Sequence, residues 1–186
     1  MKKFCTTAIF LLSAALFADV KLPGIFSDHA VLQRSAATAV FGKADAGEKV
    51  TVTYGNIKAE TVAGQDGLFQ VKLDLSKAGN ESKELTVSGK NTIVVKDVIV
   101  GEVWICAGQS NMEMQLVRTI NGAEEIKKSD NDRIRTFVPK VRVSTTKLDS
   151  ADGQWVKASA QTSGRFTAVG YYFAKKLNEK AGLAVG

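Results

Sequence analysis

Ser110 is the residue whose type and surroundings could carry chemistry in this 186-residue chain. It lies in the run Gly108-Gln109-Ser110-Asn111, directly after a nearly continuous apolar stretch over residues 97–107. A serine presented between a buried strand and a helix can attack an acyl carbon. The unpaired N–H groups that open the helix carry partial positive charge and can hold the oxyanion that develops. Gly108 permits a sharp, uncrowded turn, and the amides of Gln109 and Asn111 can orient the loop. The familiar G-x-S-x-G elbow has a second glycine where this chain has Met112, so the turn is of another kind. On spacing alone, a serine after a strand is more often an ordinary helix N-cap than a nucleophile.

The other reactive residue types read as structural. His29 is the only histidine; it precedes Ser110 by about 80 residues in a β-rich segment. Cys106 sits in the apolar run, where burial would raise its thiol pKa. Trp104 and Trp155 could stack on sugar rings, although Trp104 falls within the same run and reads as core. Asn80-Glu81-Ser82 fits a glycosylation acceptor, which matters only in a eukaryotic secretory pathway. No metal and no cofactor is expected.

The elements that must position Ser110 fall into two textures. Over residues 19–98, short alternating runs (38–42, 49–54, 57–62, 69–73, 84–87 and 92–95) are separated by turn residues such as Gly55-Asn56 and Asp66-Gly67. That pattern predicts a small antiparallel β-sandwich domain. Over residues 99–186 the apolar run predicts a strand buried on both faces. A helical stretch follows near residues 123–128, then a strand near 134–138 and a looser segment through Trp155. Val169, Phe173 and Leu177 lie on one face of a further helix that runs to Gly182. Residues 183–186 open another strand, so this half reads as the start of an α/β domain, cut short.

The N-terminus, Met1-Lys2-Lys3 followed by an apolar stretch to Ala18, has the pattern of an export signal over residues 1–18. It is too short for a permanent span, which needs about 20 apolar residues. The expected location is therefore periplasmic or extracellular. Losing Lys2 and Lys3 lowers the net charge from +6 to +4. The remaining lysines are scattered, so neither a nucleic-acid nor a membrane partner is indicated. Cys5 would leave with the signal, and Cys106 alone can form no internal disulfide.

Three stretches carry a resemblance. The run Val100-Gly101-Glu102-Val103-Trp104-Ile105-Cys106-Ala107-Gly108-Gln109-Ser110-Asn111-Met112-Glu113-Met114 resembles the nucleophile block of bacterial sialate O-acetylesterases of the SGNH hydrolase superfamily. Leu22-Pro23-Gly24-Ile25-Phe26-Ser27-Asp28-His29-Ala30-Val31-Leu32-Gln33-Arg34 is similar to that family's N-terminal signature, and Phe166-Thr167-Ala168-Val169-Gly170-Tyr171-Tyr172-Phe173 to a later helix. The chain departs from the pattern at Ala30, usually Met, and at Ala107, often Ser. The resemblance implies a three-layer SGNH-type α/β domain, truncated here, behind the β-sandwich. It also implies a serine esterase that removes O-acetyl groups from sialic acids or related acetylated glycans through an acetyl-Ser110 intermediate. The Ser110 N–H would be one oxyanion donor. The others, a Gly and an Asn, and a His base within Asp-x-x-His, would lie beyond residue 186, leaving these residues inactive alone. Two alternatives remain. One is an acetylxylan-type esterase, since related families share the Gly-Gln-Ser-Asn run; the other is a secreted, non-catalytic glycan-binding protein working through its β-rich half.

Overall fold

The computed structural model describes residues 19–140, 144–146, 148 and 151–186; the expected export signal lies outside them. Alternation sets the first strands. In β3 (Lys49–Tyr54) Val50, Val52 and Tyr54 point inward and Lys49 outward. A two-residue turn joins it to β4 (Ile57–Val62), with Tyr54 opposite Ile57. Gly55 takes φ 56 there, the left-handed conformation such hairpins require. β2 (Thr38–Lys43) and β5 (Leu68–Leu73) form a separate antiparallel pair.

β7 (Thr92–Glu102) is the axis of the molecule. Its first half pairs antiparallel with β6 (Lys83–Ser88), and its second half pairs parallel with β1 (Val31–Gln33). Between the halves the register slips: Leu85 faces Val95 but Lys83 faces Val98. This bulge re-aims Asp97 off the ladder. On its other side the end of β7 pairs parallel with the two-residue β10 (Ala184–Val185). β10 in turn meets β8 (Asn131–Pro139), whose outer neighbour is β9 (Gly153–Ala158). At Gly101 any Cβ would come within 2.1 Å of the Ala184 carbonyl oxygen, so β7 and β10 pair closely only because residue 101 has none.

The order β4-β3-β6-β7-β10-β8-β9, with β1 beside β7, makes one eight-stranded mixed sheet. This corrects the expected fold class. The chain does not fold as a β-sandwich followed by the start of a separate, truncated three-layer SGNH-type α/β domain. The change of texture near Val98 is a change of partner within one strand, because β7 serves the antiparallel and the parallel parts alike. A single apolar core runs from Val20 through Val52, Leu85, Val98 and Val100 to Trp155 and Ala184. Each buried Val or Leu among them contributes about 1.5–3 kcal/mol by leaving water. A smaller cluster, including Leu116, Ile134, Phe166 and Tyr171, lies under α3 (Ala168–Ala181), with Ile126 of the short α2 (Gly122–Lys127) packed against it.

Three local expectations also change. The strand expected to reach residue 107 stops at Glu102, and Trp104 and Cys106 are exposed rather than core. α3 buries Ala168, Tyr171 and Ala174, while Val169 and Phe173 are exposed. The segment through Trp155, read as loose, contains β9.

Candidate active site

The chain leaves β7 at Glu102 and runs as exposed coil to α1 (Ser110–Glu113), a single helical turn. The Trp104 N–H donates to the Gly186 carbonyl at 2.9 Å, and the Gly186 N–H to the Glu102 carbonyl at 2.9 Å, so the end of β10 steadies the exit. Trp104 packs edge-on against Phe173 of α3, with centroids 5.0 Å apart. Below it, the coil passes so near α3 that a Cβ at Gly170 would fall 2.8 Å from Cys106 Sγ. At the far end, Ala168 N–H donates to the Met114 carbonyl (2.8 Å) and Leu116 N–H to the Phe166 carbonyl (3.0 Å). The turn is thus pinned on both sides to α3 and the segment before it.

Gln109, not Ser110, occupies the N-cap position. Its carbonyl accepts from the N–H groups of Met112 (2.8 Å) and Glu113 (3.1 Å), and no side chain caps the turn. Ser110 and Glu113 have the spacing of a capping box, but the box is not made. The Ser110 hydroxyl is exposed and makes no hydrogen bond among the described residues. The first N–H groups of the turn, those of Ser110 and Asn111, find no carbonyl partner among the same residues. A single turn has little macrodipole, so any help to an oxyanion comes from these local N–H groups. Beside the hydroxyl lies an open groove of about 380 Å³, lined by Ser110, Glu113, Met114, Gln115 and Arg118.

Gly108 is needed for a different reason than the sharp turn suggests. Its φ is not in the left-handed region. Instead an added Cβ would stand 3.0 Å from Met112 Cβ, tighter than ordinary packing. The side chains of Gln109 and Asn111 are exposed and make no hydrogen bond among the described residues.

The most heavily bonded charge lies at the bulge of β7. Asp97 accepts from Ser82 Oγ (2.6 Å) and Arg135 Nη2 (3.0 Å) on one oxygen, and from His29 Nδ1 (2.6 Å) and Lys157 Nζ (3.1 Å) on the other. Burial pushes its pKa up. The bonds from Ser82, His29 and Lys157 and the charge of Arg135 outweigh that and hold the carboxyl well below the usual Asp range. Arg135, almost fully buried, also donates to the carbonyls of Asp132 and His29. Beside this cluster, His29 and Lys157 help to line an open cavity of about 960 Å³. His29 and Asp97 both have positive φ (69° and 54°), a conformation their residue types tolerate.

His29 and Ser110 are not brought together. The five residue steps from Asp97 to Glu102 alone span about 16 Å at the usual rise of a strand, and Ser110 lies eight residues further on. Among the described residues, no group of three or more His, Cys, Asp or Glu side chains could hold a metal ion. Sequence reasoning missed Gln33 and Glu102, whose side chains bond to each other at 2.8 Å beside the strand exit. Their polarity at the end of two apolar strands was the available signal.

No protein-family model matches the chain. It is 31% identical to the sialate O-acetylesterase of Rattus norvegicus, in a match covering 86% of this chain and 33% of the relative. With the sialate O-acetylesterase of Homo sapiens the identity is 29%, covering 84% and 34%. The crystal structure of a carbohydrate acetylesterase from Xanthomonas citri superposes with a TM-score of 0.86 at 32% identity, covering 90% of this chain and 39% of that one. That likeness takes in the antiparallel and parallel parts together, in keeping with one mixed sheet. The chain spans about a third of the length of the curated relatives it matches.

Proposed function

The chain belongs to the sialate O-acetylesterase family, of whose curated members it spans about a third, and on that premise we propose that the whole protein is a serine esterase removing O-acetyl groups from sialic acids or related acetylated glycans. The observation that carries this is the Ser110 hydroxyl, exposed at the first position of α1 and not spent on capping. Its oxygen attacks the acetyl carbonyl while a base takes the proton. The tetrahedral oxyanion is held by the Ser110 N–H and further donors, and it collapses to acetyl-Ser110 as the sugar hydroxyl leaves with a proton. Water then attacks the acetyl-enzyme, releasing acetate and restoring the serine.

His29 is bonded to Asp97 at the middle of β7, away from the exit that leads to Ser110, which argues against it as the base. We assign the base and the other oxyanion donors to parts of the whole protein outside the third spanned here, so residues 19–186 alone would hydrolyse acetyl esters negligibly. Missing one oxyanion donor costs about 10²–10³ in rate, and a serine without a base is a weak nucleophile. The pattern of residues 1–18 supports export to the periplasm or the outside of the cell, and N-terminal sequencing of exported protein tests this. In the whole protein, Ser110→Ala should lower acetyl-ester turnover by several orders of magnitude. A serine-directed phosphonate should label Ser110; labelling at another serine would sink the assignment.

A further inference from the structure

We propose that Gln33 is a positioning residue for the nucleophile turn, its carboxamide completing the β1 side of β7 where β1 has already ended; this rests on Ser110 being the nucleophile. β1 is three residues long, and its last register partner is Gln33 opposite Gly101. The Arg34 N–H still reaches the Gly101 carbonyl at 2.7 Å. Beyond that point the Gln33 side chain takes over. Its Oε1 accepts from the Val103 N–H at 2.8 Å, and its Nε2 donates to Glu102 Oε2 at 2.8 Å. A carboxamide carries an acceptor and a donor together, as a peptide unit does, so one side chain does the work of a further β1 residue.

Successive N–H groups of an extended chain point to opposite sides. Here Val103 N–H goes to Gln33 and Trp104 N–H to the Gly186 carbonyl. The root of the coil that leads to Ser110 is therefore held from both flanks, by β1's side chain and by β10's end. The same short segment reaches α3: Arg34 Nη2 donates to Asn80 Oδ1 (2.9 Å), and Asn80 Nδ2 to the carbonyl of Gly182, the C-cap of α3 (2.8 Å). Leu32-Gln33-Arg34, in a stretch remote from Ser110 in sequence, thus fixes both the strand exit and the helix on which the turn is seated.

The test uses the whole protein, with kcat, KM, phosphonate labelling of Ser110 and amide exchange at Val103 measured well below the melting temperature. Gln33→Glu sets two carboxylates against each other and cannot donate. It should lower kcat and the labelling rate about tenfold or more with KM little changed, since sub-ångström to 1 Å misplacement costs up to about 10² in rate, and it should speed exchange at Val103. Adding Glu102→Gln restores a donor opposite an acceptor and should return kcat and exchange to within about twofold of the parent. Gln33→Met, similar in volume without either bond, should reproduce the single-variant loss even if Gln33→Glu fails to fold. Faster exchange in Gln33→Met with unchanged kcat would overturn the proposal, as would a double variant that recovers exchange but not kcat. Labelling of the parent at a serine other than Ser110 would instead remove the nucleophile assignment on which the proposal rests.

Discussion

At the bulge of β7, two loop side chains (His29 and Ser82) and two from β8 and β9 (Arg135 and Lys157) converge on the Asp97 carboxylate; beyond the exit of the same strand, the Ser110 hydroxyl has no hydrogen-bond partner among the described residues. The strongly perturbed Asp97 sits at the middle of the strand, and the candidate nucleophile lies beyond its exit. A displaced pKa often marks a reactive site, but here it marks a fastening. Four donors already converge on Asp97, whereas the hydroxyl beyond the exit is exposed and carries no hydrogen bond among the described residues.

Breaking the fastening should have the largest effect. Asp97→Ala leaves the Arg135 guanidinium, 1% exposed, without its charge partner. Removing one member of a buried pair costs about 3–5 kcal/mol, and a carboxylate that is itself a quarter exposed puts this pair near the lower figure. Urea unfolding should show a lower midpoint with an unchanged m-value; an unchanged midpoint would mean the cluster fastens nothing. The same contrast can be sharpened with pH. Because the folded pKa of Asp97 lies below its unfolded value of about 3.9, the unfolded state binds the proton more readily. The contribution is full above that value and shrinks as pH falls toward the depressed one. The stability gap between the parent and Asp97→Asn should close over that acid range, and a constant gap would contradict the assignment.

At the exit, the expected loss is catalytic rather than thermodynamic. Gly108→Ala pushes a Cβ to 3.0 Å from Met112 Cβ and should shift α1 by a few tenths of an ångström. The expectation is a fall in kcat of about tenfold in the whole protein with melting temperature nearly unchanged. The smallest effect belongs to His29→Ala. It loses one bond at a half-exposed side chain, about 1 kcal/mol, and should leave turnover within about twofold. A large loss of turnover would show that the bulge of β7 and its exit are not separate after all.

Much of the first half was legible because period-two alternation in β3 and β5 reports which face is buried, and Gly55-Asn56 announces its hairpin. The run through Ile105 misled for a physical reason: apolarity alone does not distinguish a strand buried on both faces from a strand followed by an exposed apolar coil. In α3 the strongly apolar side chains Val169, Phe173 and Leu177 read as the buried face. The buried face is instead made by Ala168, Ala174 and Tyr171, whose small or mixed character scores weakly, and the Tyr171 hydroxyl is bonded to Glu125. The run around Ser110 could be singled out because its neighbours in sequence are its neighbours in space. The Asp97 cluster could not, since His29, Arg135 and Lys157 reach it only through a sheet order that places β8 and β9 two and three strands from β7.

The two tryptophans, finally, make the molecule report on itself. Trp155 is 4% exposed, with its indole N–H on the Ile25 carbonyl at 2.8 Å, whereas Trp104 is 53% exposed against Phe173 at the root of the nucleophile coil. An indole in water emits at longer wavelength than a buried one and is open to collision with iodide. Quenching should therefore divide the fluorescence of these residues into an accessible fraction from the coil and a protected fraction from the sheet, and a glycan that settles beside Ser110 would be seen first as shielding of the former.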